Sequence, residues 1–200
     1  MQTSESPQIV NIYTESNPNP NSLKFVANFM LMPEGVSKDF RTAESASEAP
    51  LAARLFEFPY VQGVFYMSNF ITVTKDEATD WYEVKGEIQN FIKSHLESGE
   101  PLLNEAPQQE TAAPPMPPIG GAEPDLETKI KDILDEYIKP AVEMDGGAIT
   151  FHSFHEGKVK VMLQGSCSGC PSSTVTLKAG IENLLKRMVP EVQEVEAEGV

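Results

Sequence analysis

Cysteine is almost absent from this chain: its 200 residues hold two, Cys167 and Cys170. That scarcity excludes a framework of several disulfides, and it excludes a four-cysteine zinc or iron–sulfur site supplied by one chain. Basic residues are also few, 15 against 30 acidic ones, for a net charge of -15. The deficit is spread out, at -6 over residues 1–97, -4 over 98–123 and -5 over 124–200. No stretch resembles the basic footprint that nucleic acid or an anionic membrane surface selects, so neither is expected as a partner. No run of 18 or more apolar residues is present to span a bilayer. The opening "MQTSESPQIV" lacks the basic start and apolar core of a secretory signal, and the Arg-rich, acid-poor character of a transit peptide. A cytoplasmic location is therefore expected, where thiols stay reduced and a structural disulfide is disfavoured.

What is present reads as globular: 40% hydrophobic and 22% charged residues. One segment departs from that composition. Residues 98–124, "SGEPLLNEAPQQETAAPPMPPIGGAEP", carry seven prolines, no Lys or Arg, and a closing Gly pair. Such a stretch cannot bury a core and reads as an extended, flexible tether. The fold class expected is α+β: two small α+β domains, 8–97 and 124–200, joined by a Pro-rich linker over 98–123. In the first, "QIVNIYT" and "LKFVANFML" alternate as strands around the turn chemistry of "ESNPNPNS". "EAPLAARLFEF" has helical spacing, and "VQGVFYM" with "FITVTK" reads as a second hairpin across "SN". "ATDWYEVKGEIQNFIKSHL" predicts a long amphipathic helix burying Trp81, Val84, Ile88, Phe91, Ile92 and Leu96. This domain has no cysteine, and its one histidine, His95, reads as a helix residue beside Lys93.

The second domain predicts the order α-β-β-α-β. "DLETKIKDILDEYI" is a helix that Pro140 ends or kinks. Strand "AITFHSF" turns at "HEGK" into strand "VKVMLQG". "SSTVTLKAGIENLLKRMV" is a helix with Leu177, Ile181, Leu184, Leu185 and Met188 on one face, stopped by Pro190, and "EVQEVEA" is a last edge strand. Both cysteines thus fall in the turn from a strand into a helix. Gly165 and Gly169 let the backbone approach whatever the sulfurs hold. Pro171 suits the first helical position, where its missing N–H costs no hydrogen bond. Cys170 then lies near the N-cap, where free amides and the helix dipole favour a thiolate. Metal ligand and redox nucleophile both need that thiolate, so the turn alone leaves the choice open.

Ligand counting goes further. A [4Fe–4S] cluster takes four cysteines and this chain offers two, so the simplest completion is a homodimer in which each protomer donates Cys167 and Cys170. A cluster between subunits on an exposed turn can be released. Carriage fits such a site better than electron transfer or catalysis, so the chain is not expected to be an enzyme. The alternatives are a thiol–disulfide oxidoreductase using the Cys167/Cys170 pair, a zinc site recruiting His152 and His155, and two incidental thiols. A Pro-containing loop facing the motif, as a thioredoxin-like fold requires, is not found. The two histidines flank a predicted hairpin turn, and the flanking Gly residues and Pro171 speak against incidental thiols.

Residues 144–195 resemble the C-terminal domain of NifU-like (Nfu-type) iron–sulfur cluster proteins, through Asp145-Gly146-Gly147, the Gly165-to-Cys170 turn, Pro171-Ser172-Ser173, Thr176-Leu177-Lys178 and Pro190-Glu191-Val192. The first domain independently resembles the N-terminal Nfu domain, through "NPNPNSLKFV" and "GVFYMSNFITVTK" followed by "DW". The resemblance implies cluster assembly and delivery. A [4Fe–4S] cluster would bridge two protomers through Cys167 and Cys170, be received from an upstream scaffold and be passed to apo-proteins. Ala148 departs from the pattern, which has an acidic residue after the two glycines. Asp145 to Gly147 read most simply as a helix end entering a strand, and "NPNPN" as a turn. The first domain reads as an interaction module that chooses or orients client proteins, with a purely structural role as the alternative.

Overall fold

A computed structural model describes residues 9–104, 124–167 and 171–199. Most of the expected linker, 105–123, lies outside the described residues. The chain divides into two compact units, the first holding every element up to residue 98 and the second every element from residue 124. Each is described by itself.

In the first unit five strands form one antiparallel sheet: β1 (Ile12–Ser16), β2 (Ser22–Ala27), β3 (Ser37–Phe40), β4 (Val61–Met67) and β5 (Phe70–Lys75), in the order β1-β2-β5-β4-β3. The "NPNPN" stretch is the turn from β1 to β2, as its Pro and Asn content demands. β4 and β5 are joined through Ser68 and Asn69, with Ser68 at positive φ. The Ser68 carbonyl accepts the amides of Leu31 (2.7 Å) and Met32 (2.8 Å). Those two bonds turn the chain after Ala27, so β2 stops short of the longer strand predicted through Leu31.

Helices α1 (Pro50–Leu55) and α2 (Trp81–Ser98) bury Leu51, Leu55, Ile88 and Ile92 against Phe25, Val64, Tyr66, Ile71 and Val73. A buried aliphatic side chain of this size contributes about 1.5–3 kcal/mol. The carboxylate of Asp80 caps α2 by accepting the Tyr82 amide at 2.9 Å, worth about 1 kcal/mol. Gly99, at φ +72°, closes the other end. Beyond it Leu102 and Leu103 still pack on this core, and the Asn104 amide donates to the Glu48 carbonyl at 2.7 Å. His95 lies on α2, as the sequence predicts, and it is buried. It is 3% exposed, its Nδ1 lies 3.2 Å from a Glu100 carboxylate oxygen, and Arg54 reaches the same oxygen at 3.5 Å.

The second unit starts with helix α3 (Pro124–Ile133), a π-helical turn (Leu134–Ile138) and helix α4 (Lys139–Met144). Pro140 has no amide to give the fourth carbonyl back, and its ring would strike that carbonyl. The chain meets this by widening the turn before it: the Lys139 amide donates to Leu134, five residues back. The helix is thus relieved at Pro140 rather than ended. Strands β6 (Gly147–His155) and β7 (Lys158–Gly165) pair antiparallel, and β8 (Glu194–Gly199) joins β7 in parallel. On β8 Val195 is buried, while Glu194, Glu196 and Glu198 reach Lys158 and Lys160 of β7 across the exposed face. Charges on an edge strand also discourage pairing with another chain. Helix α5 (Pro171–Met188) lays Ile181 and Leu185 into a core with Ile130, Val142, Val161 and Leu163.

Candidate functional site: the cysteine turn

The site is built where the α4 helix end meets the open end of the β6–β7 hairpin. At the C-terminus of α4 the Asp145 amide donates to Ala141 (3.1 Å) and the Gly146 amide to Glu143 (3.0 Å). Gly146 then turns the chain at φ +78°, a conformation costly for any residue with a Cβ. Gly147 enters β6 directly opposite Gly165, the last residue of β7. Ser166 follows, 2% exposed. Its amide donates to the Gly146 carbonyl at 3.3 Å and its hydroxyl to the Asp145 carbonyl.

Cys167 comes next and folds back over Gly147. A Cβ on Gly147 would stand 2.6 Å from the Gln164 carbonyl oxygen and 3.0 Å from the Cys167 sulfur. Gly147 is therefore glycine because the sulfur and a carbonyl use its side-chain space. Cys167 is 7% exposed and belongs to the second unit's core. Burial pushes its thiol up from the ordinary value. The Ser166 hydroxyl, 3.8 Å from the sulfur, pulls it down, and the negative charge of Asp145 raises it again. Pro171 opens α5, as the residue pattern predicts. Cys170, with Ser168 and Gly169, lies outside the described residues, and so does its expected place at the helix N-cap.

His152 and His155 take no part. Both are exposed, His152 beside Ser153 and His155 beside Glu156. His155 is at the far end of the hairpin from Gly147, about 26 Å along a strand rising ~3.3 Å per residue. Among the described residues no three Cys, His, Asp or Glu side chains gather as a metal site. A cluster or metal ion held at Cys167 would take its further ligands from outside the described residues or from another chain. Ala148 is buried in the ladder opposite Gln164.

The buried thiol also bears on the redox alternative. A dithiol oxidoreductase attacks with the first cysteine of its pair, which must be accessible and lowered in pKa. Cys167 is 7% exposed and does not present its sulfur for such an attack, and the oxidoreductase reading has no support. Sequence reasoning missed the part of Ser166 and the reason for Gly147. The signal was in the strand register, since aligning "GAITFHSFH" against "KVKVMLQG" puts Gly147 opposite Gly165 and beside the cysteines.

The model of the scaffold protein Nfu/NifU N-terminal family matches residues 12–99, and that of the NifU-like domain matches residues 130–196. The chain is 43% identical over 188 residues to a protein of Drosophila grimshawi named NFU1 iron-sulfur cluster scaffold homolog, mitochondrial. It is 41% identical over 186 residues to the protein of that name from Drosophila persimilis. Each alignment takes in 92% of this chain but only 60% and 64% of those relatives' own length. A solution structure of a NifU-like protein from Saccharomyces cerevisiae is 26% identical, covering 52% of this chain and 93% of that one. Its TM-score of 0.46 is too low to argue from. The relatives' names overturn one expectation: they point to a mitochondrial rather than a cytoplasmic location. The N-terminal sequence carried that expectation only by what it lacks. With one family matched by the first unit and the other by the second, in that order along one chain, the protein belongs to the NifU-like, Nfu-type family.

Proposed function

We propose that this protein is an iron–sulfur cluster carrier that takes a [4Fe–4S] cluster from an upstream scaffold and passes it to apo-proteins. Two protomers hold the cluster between them, each giving the thiolates of Cys167 and Cys170. The observation that carries the reading is the cysteine turn of a NifU-like unit, with the Cys167 sulfur seated over Gly147 and, among the described residues, no group of three metal-ligating side chains. The cluster is cargo, so the protein needs no reaction of its own beyond ligand exchange and is no enzyme. Iron in such clusters prefers thiolate sulfur, and four ligands from two chains satisfy it. The first unit, which holds no cysteine, serves as the module that meets clients. Anaerobic reconstitution with iron and sulfide analysis during sedimentation tests this. The expected result is a dimer with about four irons per two chains. Stoichiometric iron on a strict monomer, or a dimer holding only zinc, would sink the bridging cluster.

A further inference from the structure

β7 ends at Gly165, and Ser166 is the first residue of the cysteine turn. Ser166 donates twice, from its amide to Gly146 and from its hydroxyl to Asp145, the consecutive carbonyls at the point where the chain leaves α4. Unmet carbonyls at a helix end need donors, and a buried one left without a partner is costly. The same hydroxyl stands 3.8 Å from the Cys167 sulfur. That sulfur in turn lies where a Gly147 side chain would be. Helix end, strand start and sulfur are thus tied through a single serine.

We propose that Ser166 is a positioning residue for Cys167: its two hydrogen bonds bind the start of the cysteine turn to the end of α4 and so fix where the sulfur sits over Gly147. The proposal rests on the reading of Cys167 as a cluster ligand. A ligand held this way presents its sulfur at one place to a two-fold partner, and a small displacement in one protomer is repeated in the other. Second partners that orient first ligands commonly change metal affinity by about 10- to 100-fold.

The test uses the full chain with Ser166→Ala, in two arms. In cluster-free protein, amide exchange at Cys167 is expected to quicken about tenfold, the effect of one lost hydrogen bond, while the β7 amides of Val161 and Leu163 keep their rates. In reconstituted protein, iron release to a chelator is expected to quicken about tenfold with an altered visible circular dichroism. Ser166→Thr, which keeps the hydroxyl, is expected to return both rates to near the native ones. Rates within twofold of native in either arm overturn the positioning role, as does a uniform rise across all amides, which is loss of global stability. If S166A does not fold, the threonine variant decides: exchange at Cys167 or iron release quickened tenfold in it overturns the role. Failure of the native protein to hold iron through Cys167 would defeat the ligand reading instead, while the cluster-free arm would still judge the bracket.

Discussion

The two units solve the same problem, closing a small α+β core, by different means. The first closes with side chains: five paired strands, an Asp80 cap, and a tail whose Leu102 and Leu103 complete the core. The second has three strands and closes its critical corner with backbone. Two glycines face each other there, one serine bridges two carbonyls, and a sulfur fills the space a side chain would take. Side-chain closure tolerates substitution by residues of similar size. Backbone closure does not, because a single Cβ is already too much. The sulfur proposed as a cluster ligand is held in the corner that a Cβ cannot enter.

The comparison breaks most completely at the sulfurs. Replacing Cys167 or Cys170 by Ser is expected to abolish cluster binding and the dimerisation that depends on it. Cys167→Ser also puts a hydroxyl where a thiol lies in the core, a cost of about 1–3 kcal/mol that should leave the unit folded. Iron analysis with sedimentation reads the first effect and urea unfolding the second. A Cys167→Ser dimer with its full iron would refute the ligand role.

Gly147→Ala comes next in size. The added carbon would meet the Gln164 oxygen at 2.6 Å and the sulfur at 3.0 Å, both short of ordinary contact. The backbone oxygen cannot swing away as a flexible side chain can, so the second unit should lose about 1–3 kcal/mol. Cluster loading should fall as well, since the sulfur is one of the two atoms that must move. A urea midpoint within error of native would show that the corner yields more easily than its packing indicates.

How much of this was legible in the sequence follows the same division. The helical stripe from Leu177 to Met188 and the "HEGK" turn announced α5 and the β6–β7 hairpin, because periodicity and turn chemistry are local. The placing of the cysteines between strand and helix followed from those two elements. β3 was not legible: "SKDF" has no alternation, and it is a strand only because β4 offers an edge. The burial of His95 was not legible, because the burial of a helix face depends on what packs against it, including Glu100 beyond the helix. The Ser166 bracket was hidden for a related reason. It needs the α4 end and the β7 end at one point, and no local pattern reports that.

A third and more modest effect separates the units by task. Residues 124–200 contain the whole second core and both cysteines, so that fragment should take up as much iron per chain as the full protein. It should deliver the cluster several-fold more slowly to at least some clients, because the module proposed to meet them is gone. Equal transfer to every client tried would remove the support for that role.

The smallest expected effect lies in the first unit and concerns pH. His95 is buried at the last turn of α2, and burial holds its pKa below the ordinary value of about 6.5. The Glu100 carboxylate and the Pro101 carbonyl act the other way, and the Arg54 charge sides with burial. With burial the largest influence, the unfolded chain takes up a proton more readily than the folded unit does. Stability from this group is therefore complete above about pH 6.5, and it is lost as pH falls from there through the lower folded pKa. Urea unfolding of the first unit between pH 7.5 and 5, with and without His95→Gln, measures the difference. The native unit should weaken on acidification more steeply than the variant, while the neutral glutamine should flatten the profile. Parallel profiles would mean that Glu100 and the Pro101 carbonyl balance burial, and a native unit that weakens less steeply than the variant would mean that they outweigh it.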